Sequence, residues 1–251
     1  MDIQTLVAPV FGTNCYVVSA TGTGPCVVID AGGGVLPALE ALLERRGLEV
    51  RAVLATHGHV DHTWSAAAVS EKHRVDLWIH EADAYRLDDP FGTLEPSAAT
   101  HHPSGPLGQA LAAGGCAPAA YRAPARVRTF AGERAPVVLD GVPALVAAHA
   151  PGHTQGATLF LSDDVVGPGS VLPDAGGVLA DGATGVAFTG DVLFAGSVGR
   201  TDLPGGDHAT MVRTLAGTVT QLAPGTLVLP GHGPASRVDR ELARNPYLAR
   251  R

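Results

Sequence analysis

The chain has 251 residues, 45% of them hydrophobic, and is therefore long enough to bury a large core. A formal net charge of −7 argues against a nucleic-acid partner, and an aromatic content of only 5% offers few rings on which bases could stack. No apolar stretch approaches the roughly 20 residues that span a bilayer, so we expect no membrane partner.

The predicted elements begin with three short strands, at 3–10, 14–20 and 25–30, and the Gly/Thr turn at 21–24 predicts a hairpin between the last two. A helix follows from Val35 to Arg46, because its leucines recur on one face. Further strands are predicted at 51–55, 75–79, 126–130, 136–139, 143–148, 157–161, 185–187 and 226–229, and further helices at 63–73, 81–86, 208–222 and 236–244.

Two segments show little regular pattern. Residues 87–124 are rich in Pro, Gly and Ala, and we interpret His101 and His102 within them as loop residues rather than metal ligands. Residues 163–184 are rich in Gly and Asp and are predicted to be an insertion. The pattern leaves open whether either segment covers a functional site.

The most informative motif follows the strand predicted at 51–55. His57, His59, Asp61 and His62 stand within six residues, and imidazole and carboxylate groups are the preferred ligands of zinc, iron and manganese. Two residues apart on extended chain, His57 and His59 project to the same side. Asp61 and His62 lie on the turn beyond, from which they can reach a second metal ion.

Three later segments repeat the pattern of a strand, a glycine-containing turn and a ligand-type residue. They supply His153, Asp191 and His232. One histidine after a strand is more often structural, but four strand ends that deliver His and Asp indicate a metal site. Because these residues must converge, we predict a single domain over 1–251.

The ordered motifs T-H-G-H-V-D-H, P-G-H-T, T-G-D and P-G-H-G resemble those of the metallo-β-lactamase superfamily. Within it, the segment from Gly190 to Asp202 is similar to the glyoxalase II (hydroxyacylglutathione hydrolase) branch, as are 14–16, 30–32 and 245–248. The resemblance implies an α+β fold, an αββα sandwich in which two mixed β-sheets lie face to face with helices on both outer faces.

The same resemblance implies two divalent metal ions, zinc first, with iron or manganese also compatible with an all-nitrogen-and-oxygen site. Metal 1 is assigned to His57, His59 and His153, metal 2 to Asp61, His62 and His232, and Asp191 bridges them. A metal-bridging water is the nucleophile, so no side-chain nucleophile is needed, and Asp61 orients it and takes its proton. We further expect Asp30 to hold a ligand histidine, with a turn-capping role as the alternative.

Asp191 stands where the true β-lactamases commonly carry Cys, which favours the thioesterase branch and a hydrolase of thioesters of the S-acylglutathione type. The longer glyoxalase II enzymes bind glutathione with a C-terminal helical domain, but only 19 residues follow His232, so we expect that domain to be missing. Arg200 is a candidate to bind a substrate carboxylate, and an ion pair with Asp202 is the alternative.

Three other functions stay open. A mononuclear iron persulfide dioxygenase would use His57 or His59 with His153 and Asp191, and a lactonase or other small-ester hydrolase could use the whole site. A non-enzymatic metal-binding module is disfavoured, because seven ligands exceed what a structural site needs.

We expect a small-molecule substrate and a monomer or homodimer. The three cysteines are odd in number and far apart, and 1–4 lack a signal segment, so we predict a cytoplasmic protein.

Overall fold

The computed structural model describes residues 1–93, 105–173 and 181–248. Its strands are β1 (Asp2–Val7), β2 (Asn14–Ser19), β3 (Gly24–Ile29), β4 (Leu48–Leu54), β5 (Leu77–His80), β6 (Val127–Phe130), β7 (Arg134–Val137), β8 (Leu145–His149), β9 (Thr158–Ser162), β10 (Gly185–Gly190), β11 (Leu193–Phe194), β12 (Ser197–Val198), β13 (Thr226–Pro230) and β14 (Ser236–Arg237). Its helices are α1 (Leu36–Arg46), α2 (Val60–Thr63), α3 (Ala66–His73), α4 (Glu81–Ala84), α5 (Pro106–Ala113), α6 (His208–Gly217) and α7 (Val238–Arg244).

Within the described ranges the strands form two six-stranded mixed sheets and a small β11–β12 hairpin. The first sheet has the order β1-β2-β3-β4-β5-β6, antiparallel up to β3 and parallel from β3 onward. The second has the order β14-β13-β10-β9-β8-β7, in which only the β10–β13 pair is parallel. Each sheet therefore contains parallel strands whose carboxyl ends share an edge.

The strands bury both faces. On β3, Val27 and Ile29 point into the cluster between the two sheets, whereas Cys26 and Val28 point outward against helices. This alternation follows from the two-residue period of extended chain. The inter-sheet cluster also includes Phe160 and Phe188 of the second sheet.

Helices cover both outer faces. Leu39, Leu42 and Leu43 of α1 pack with Val69 of α3 on the first sheet. The outer face of the second sheet is covered by α6 and α7, whose Met211, Leu215 and Val238 form a buried cluster with Leu159 and Val228 of its strands. The predicted αββα sandwich is therefore confirmed.

The segment 87–124 contains a helix that the sequence pattern did not predict. Gly105 precedes α5, Pro106 occupies its first turn and Gly114 follows its end. These three residues, which the sequence pattern assigned to a loop, therefore mark the two ends of a helix. The prediction for His101 and His102 falls in 94–104, outside the described residues. The helix predicted at 208–222 ends at Gly217 and continues as a 3₁₀ turn at Val219–Gln221.

The predicted insertion is described at 163–173 and 181–184, and 174–180 lie outside the described residues. Its first part runs along the edge of β1. Gly167 N donates to Met1 O at 2.7 Å, Val171 N to Ile3 O at 2.8 Å, and Thr5 N to Val171 O at 3.0 Å. These bonds satisfy backbone groups that an edge strand would otherwise expose.

The single-domain assignment stays a prediction. Among the helices of the described ranges, none combines the length and the apolar character that a bilayer crossing needs.

Candidate metal centre

The donor residues lie at strand ends. His57 follows β4 in the first sheet, whereas Asp191 and His232 follow the parallel strands β10 and β13 in the second. Backbone hydrogen bonds join these ends: Thr158 N donates to Thr56 O at 2.8 Å, and Gly231 N to Gly190 O at 2.8 Å. The strand ends of both sheets therefore meet at one edge of the sandwich.

The first donor group consists of His57, His59 and His153, all buried. The Nε2 atom of His57 lies 3.1 Å from Nδ1 of His59, and Nε2 of His153 lies 3.0 Å from the same Nδ1 atom. Three ring nitrogens thus converge on one point, as tetrahedral zinc and iron sites require.

The second donor group consists of Asp61, His62 and His232. The Nε2 atoms of the two histidines are 3.2 Å apart, and Oδ2 of Asp61 lies 3.3 Å from Nε2 of His232. The side chains of His232 and Asp61 are 28% and 20% exposed, against 0% for His62. Solvent and small molecules therefore reach the centre from the side of the second group.

Asp191 lies between the two groups. Its Oδ1 atom is 3.3 Å from Nε2 of His62, and its Oδ2 atom is 3.6 Å from Nε2 of both His153 and His232. With His57 and His62 it forms a further set of donors able to hold a metal ion. Its Oδ1 atom is buried and has no hydrogen-bond partner, which a cation would supply.

The outer hydrogen bonds fix the proton on four of the five imidazoles. Nδ1 of His153 donates to Arg200 O at 2.7 Å, and Nδ1 of His232 to Phe11 O at 3.1 Å. Nδ1 of His62 donates to Asp30 at 2.9 Å. The Nε2 atoms of these rings are consequently the ones directed into the centre, where Nε2 of His62 faces Nε2 of His232 and Nε2 of His153 faces Nδ1 of His59.

The fourth of these rings, His57, is fixed through a hydroxyl. Thr56 Oγ1 donates to Asp30 at 2.8 Å and accepts from Nδ1 of His57 at 3.1 Å. Lone pairs facing each other at about 3 Å repel unless a cation or a proton lies between them. The donor set therefore fits metal ions.

Burial and neighbouring charges oppose each other in this cluster. Burial is the main cause that lowers the pKa of His57 and His59 well below the ordinary value, and the neighbouring imidazoles add to it. Burial acts in the same direction on His62, but Asp61, Asp191 and Asp30 outweigh it and raise the pKa of that ring. Burial tends to raise the pKa of Asp61, yet His62 and His232 hold it below the ordinary range. Asp61 is therefore an anion at neutral pH, suited to bind a cation.

Asp30 and Arg200 differ in their surroundings. Asp30 is buried, adopts a left-handed backbone conformation with φ of 56°, and accepts hydrogen bonds from Thr56 and His62. The Arg200 guanidinium is exposed and makes two bonds of 2.7 Å to Asp202, which is the ion pair weighed as its alternative role.

Several contributing residues were not predicted. Thr56 carries the link between Asp30 and His57, and the backbone carbonyl of Phe11 accepts from His232. The ring of Phe194 lies 6.3 Å from that of His232, although the sequence has no aromatic residue directly after this histidine. Thr56 was visible as the first residue of the His-rich motif, whereas nothing in the sequence linked Phe11 or Phe194 to a residue so far along the chain.

The family model of the metallo-beta-lactamase superfamily matches residues 8–232. This span includes all seven donor residues, so the chain belongs to the metallo-β-lactamase superfamily. An uncharacterized protein of Mycobacterium tuberculosis is 33% identical over 248 residues, which cover 99% of this chain and 98% of the relative. The hydroxyacylglutathione hydrolase GloC of Haemophilus influenzae is 26% identical over 255 residues, covering 99% and 98%.

Two solved structures are similar over nearly the whole chain. The BLEG-1 B3 metallo-beta-lactamase has a TM-score of 0.73 and 26% identity, covering 99% of this chain and 100% of its own. The protein TTHA1623, in a di-iron-bound form, has a TM-score of 0.67 and 28% identity, covering 94% and 96%. Both share the fold described above.

Proposed function

We propose that the protein is a dinuclear metal-dependent hydrolase of thioesters of the S-acylglutathione type. The observation that carries the proposal is the position of Asp191 between two complete donor groups. A carboxylate in that position can bridge two ions, and every donor is nitrogen or oxygen. The similarity to GloC of Haemophilus influenzae over nearly the full length supports the choice of substrate class.

Two bound divalent ions would lower the pKa of a shared water and polarise a carbonyl group. The chain itself supplies the orientation: Asp30, Arg200 O and Phe11 O hold the imidazoles with their Nε2 atoms inward. The depressed pKa of Asp61 makes this carboxylate a weak base, so we assign it mainly to binding metal and orienting the attacking water.

We infer that Arg200 binds the anionic part of the substrate. It lines a cavity of about 430 Å³ together with Gly199, Met211, Leu215 and Tyr247, so a cationic group stands beside an apolar wall. The backbone carbonyl of the same residue accepts from the outer nitrogen of His153, so this cavity lies behind the first donor group, and none of the seven donors lines it. In this proposal, a substrate carboxylate replaces Asp202 on the guanidinium.

We also propose zinc as the first metal to consider and a cytoplasmic location. Iron is the main alternative metal, supported by the di-iron form of TTHA1623. The free cysteines Cys15, Cys26 and Cys116 are all buried, which fits a reducing compartment.

The first experiment is elemental analysis of protein purified without added metal, followed by assay of S-lactoylglutathione hydrolysis and, for comparison, of a β-lactam. About two ions per chain and preferential thioester hydrolysis support the proposal. One iron per chain with oxygen uptake on glutathione persulfide overturns it in favour of the dioxygenase. Preferential turnover of the β-lactam or of a lactone overturns the thioester assignment while leaving the metal centre intact.

A further inference from the structure

A buried ion pair lies directly behind the first donor group. Asp83 and Arg86 both have fully buried side chains, and Nε of Arg86 lies 3.3 Å from Oδ1 of Asp83. Burying two charges costs several kcal/mol per ion unless further hydrogen bonds satisfy them. The partners of this pair therefore indicate what the pair is for.

The Asp83 carboxylate accepts three more hydrogen bonds, all from the loops that carry the first donor group. Gly58 N donates to it at 2.9 Å, and Gly58 stands between His57 and His59. Thr154 Oγ1 donates at 2.7 Å and Gly156 N at 2.8 Å, just after His153. One carboxylate thus joins two loops that are about a hundred residues apart in the sequence.

Arg86 extends the connection to a third loop. Its Nη2 atom donates to Pro204 O at 2.8 Å and to Gln155 Oε1 at 3.0 Å, and Nη1 donates to Thr93 O at 3.2 Å. Pro204 belongs to the loop that begins at Arg200, whose carbonyl accepts from His153. All three loops around the first group are therefore held by the pair.

The loops press closely against the pair. A Cβ atom on Gly58 would lie 2.8 Å from both the Arg86 side chain and the Asp83 carbonyl, and one on Gly156 would lie 2.7 Å from the Asp83 side chain. Neither position has room for a side chain without displacement of the loop. A shift of the carboxylate would consequently move both loops.

We propose that Asp83, supported by Arg86, is a positioning residue that sets the spacing between His57, His59 and His153. Among the described residues, the Asp83 side chain accepts from Arg86 and from the loops that carry the first donor group, whereas His62 of the second group is held by Asp30. This inference rests on the proposed function in so far as it assumes that both donor groups bind metal.

The test compares Asp83→Asn with Asp2→Asn. Asp2 is a matched control, because it is a largely buried carboxylate that accepts from Arg46 and Gln4 and touches none of the three loops. An amide at position 83 loses acceptor capacity towards the loop donors while keeping the shape. Dissociation constants for cobalt at the two sites are measured by chelator competition, and the stability of the metal-free protein by urea unfolding.

We expect Asp83→Asn to weaken one cobalt site about 10- to 100-fold and to leave the other unchanged. Asp2→Asn should alter stability alone. In the Asp83→Asn background at limiting cobalt, adding His153→Ala should remove no further ion, whereas adding His232→Ala should remove the remaining one. Unchanged affinities, or an equal loss at both sites, overturn the inference.

Thr154→Val keeps the test decisive if Asp83→Asn does not fold. It removes one donor to Asp83 without changing charge, and we expect a smaller loss of affinity confined to the same site. A wild-type chain that binds a single ion contradicts the dinuclear function, not the role of Asp83. If His153→Ala abolishes that ion, a loss of its affinity in Asp83→Asn still supports the inference, and an unchanged affinity overturns it.

Discussion

One buried carboxylate controls the orientation of two imidazoles in the candidate metal centre. Asp30 accepts from Nδ1 of His62 directly and from Nδ1 of His57 through the hydroxyl of Thr56. Each bond leaves the opposite ring nitrogen, Nε2, directed into the centre, where it is the atom that can bind a metal ion. Asp30 therefore contributes to both donor groups, although it is not itself one of the seven donors.

Replacement of Asp30 by Asn should weaken metal binding at both groups by about 10- to 100-fold, because the amide cannot accept from all its present donors. Chelator competition measures the effect. Asp76→Asn is the control, since the Asp76 side chain is 40% exposed and forms an ion pair with exposed Arg126. Unaltered affinity in Asp30→Asn would show that the ring orientations do not depend on this carboxylate.

Replacement of Asp191 by Ala should lower both the metal content and the turnover number. The carboxylate lies between the two groups, and its removal leaves five imidazoles and Asp61 with less negative charge to offset two cations. Elemental analysis and steady-state rates on the same preparation measure the two effects. Asp140→Ala, at an exposed position, is the control. Full metal loading at an unchanged rate would contradict the bridging assignment.

The ion pair between Arg200 and Asp202 predicts that replacing one partner or the other changes KM for acidic thioesters in opposite directions. Because Asp202 occupies the guanidinium with two hydrogen bonds, it competes with an anionic substrate. Arg200→Ala should raise KM for acidic thioesters more than for neutral ones, whereas Asp202→Asn should lower KM for the acidic ones. Steady-state kinetics with matched acidic and neutral acyl-thioesters measure both. Equal effects on the two substrate types would reject the anion-binding role.

The strand ends are the elements that bring the two sheets together at the centre. Gly190, at the end of β10, has φ of +47°, and a Cβ atom there would overlap the Thr56 side chain at the end of β4. Only a residue without a side chain fits between the sheets at this position. The separation of the two sheets is thus fixed within a residue of both His57 and Asp191.

Gly190→Ala should therefore lower the free energy of unfolding of the metal-free protein by about 1–3 kcal/mol. Gly217→Ala is a matched control of opposite sign: Gly217 ends α6, has open space around it, and should gain about 0.5–1 kcal/mol from the better helix former. Urea unfolding curves measure both. Equal stability changes in the two variants would exclude the close approach of the sheets as the cause.

The sequence predicts the strands that end in candidate metal ligands better than it predicts the contacts between those strands. Strands ending in His or Asp were visible because the apolar runs and the donors are local features. The Asp83–Arg86 pair was not recognised, although its three-residue spacing lies on a predicted helical turn, because its partners near Gly58, Thr154 and Pro204 are distant in sequence. The helix α5 was missed because Gly105, Pro106 and Gly114 stand at its ends and Gly108 lies within it.

For the whole molecule, the resemblance of the ordered motifs was sufficient to predict the αββα sandwich, and periodicity alone was not. The centre depends on contacts such as that from Phe11 O to His232, across 221 positions of the chain. Such contacts follow from the packing of one sheet on the other, which local patterns do not encode. The donors could be predicted individually, but their spacing required the folded chain.

The free energy of unfolding of the whole metal-free protein should have a maximum at about pH 6.5. That value is about the ordinary pKa of histidine, which we take for the unfolded chain. Folding lowers the pKa of His57 and His59, so below about pH 6.5 the unfolded chain binds more protons and stability falls with acidification. Folding raises the pKa of His62 and His232, so above about pH 6.5 the folded chain binds more protons and stability falls as pH rises.

Bound metal should remove the alkaline decline, because metal ions bind the neutral imidazoles of His62 and His232 and displace their protons. Urea unfolding at about pH 5.5, 6.5 and 8, with and without chelator, tests this. His208→Gln, at an exposed position, should leave both limbs of the metal-free profile unchanged, whereas His62→Gln should flatten the alkaline limb. If the alkaline decline persists with metal bound, these histidines keep their protons and are not metal ligands.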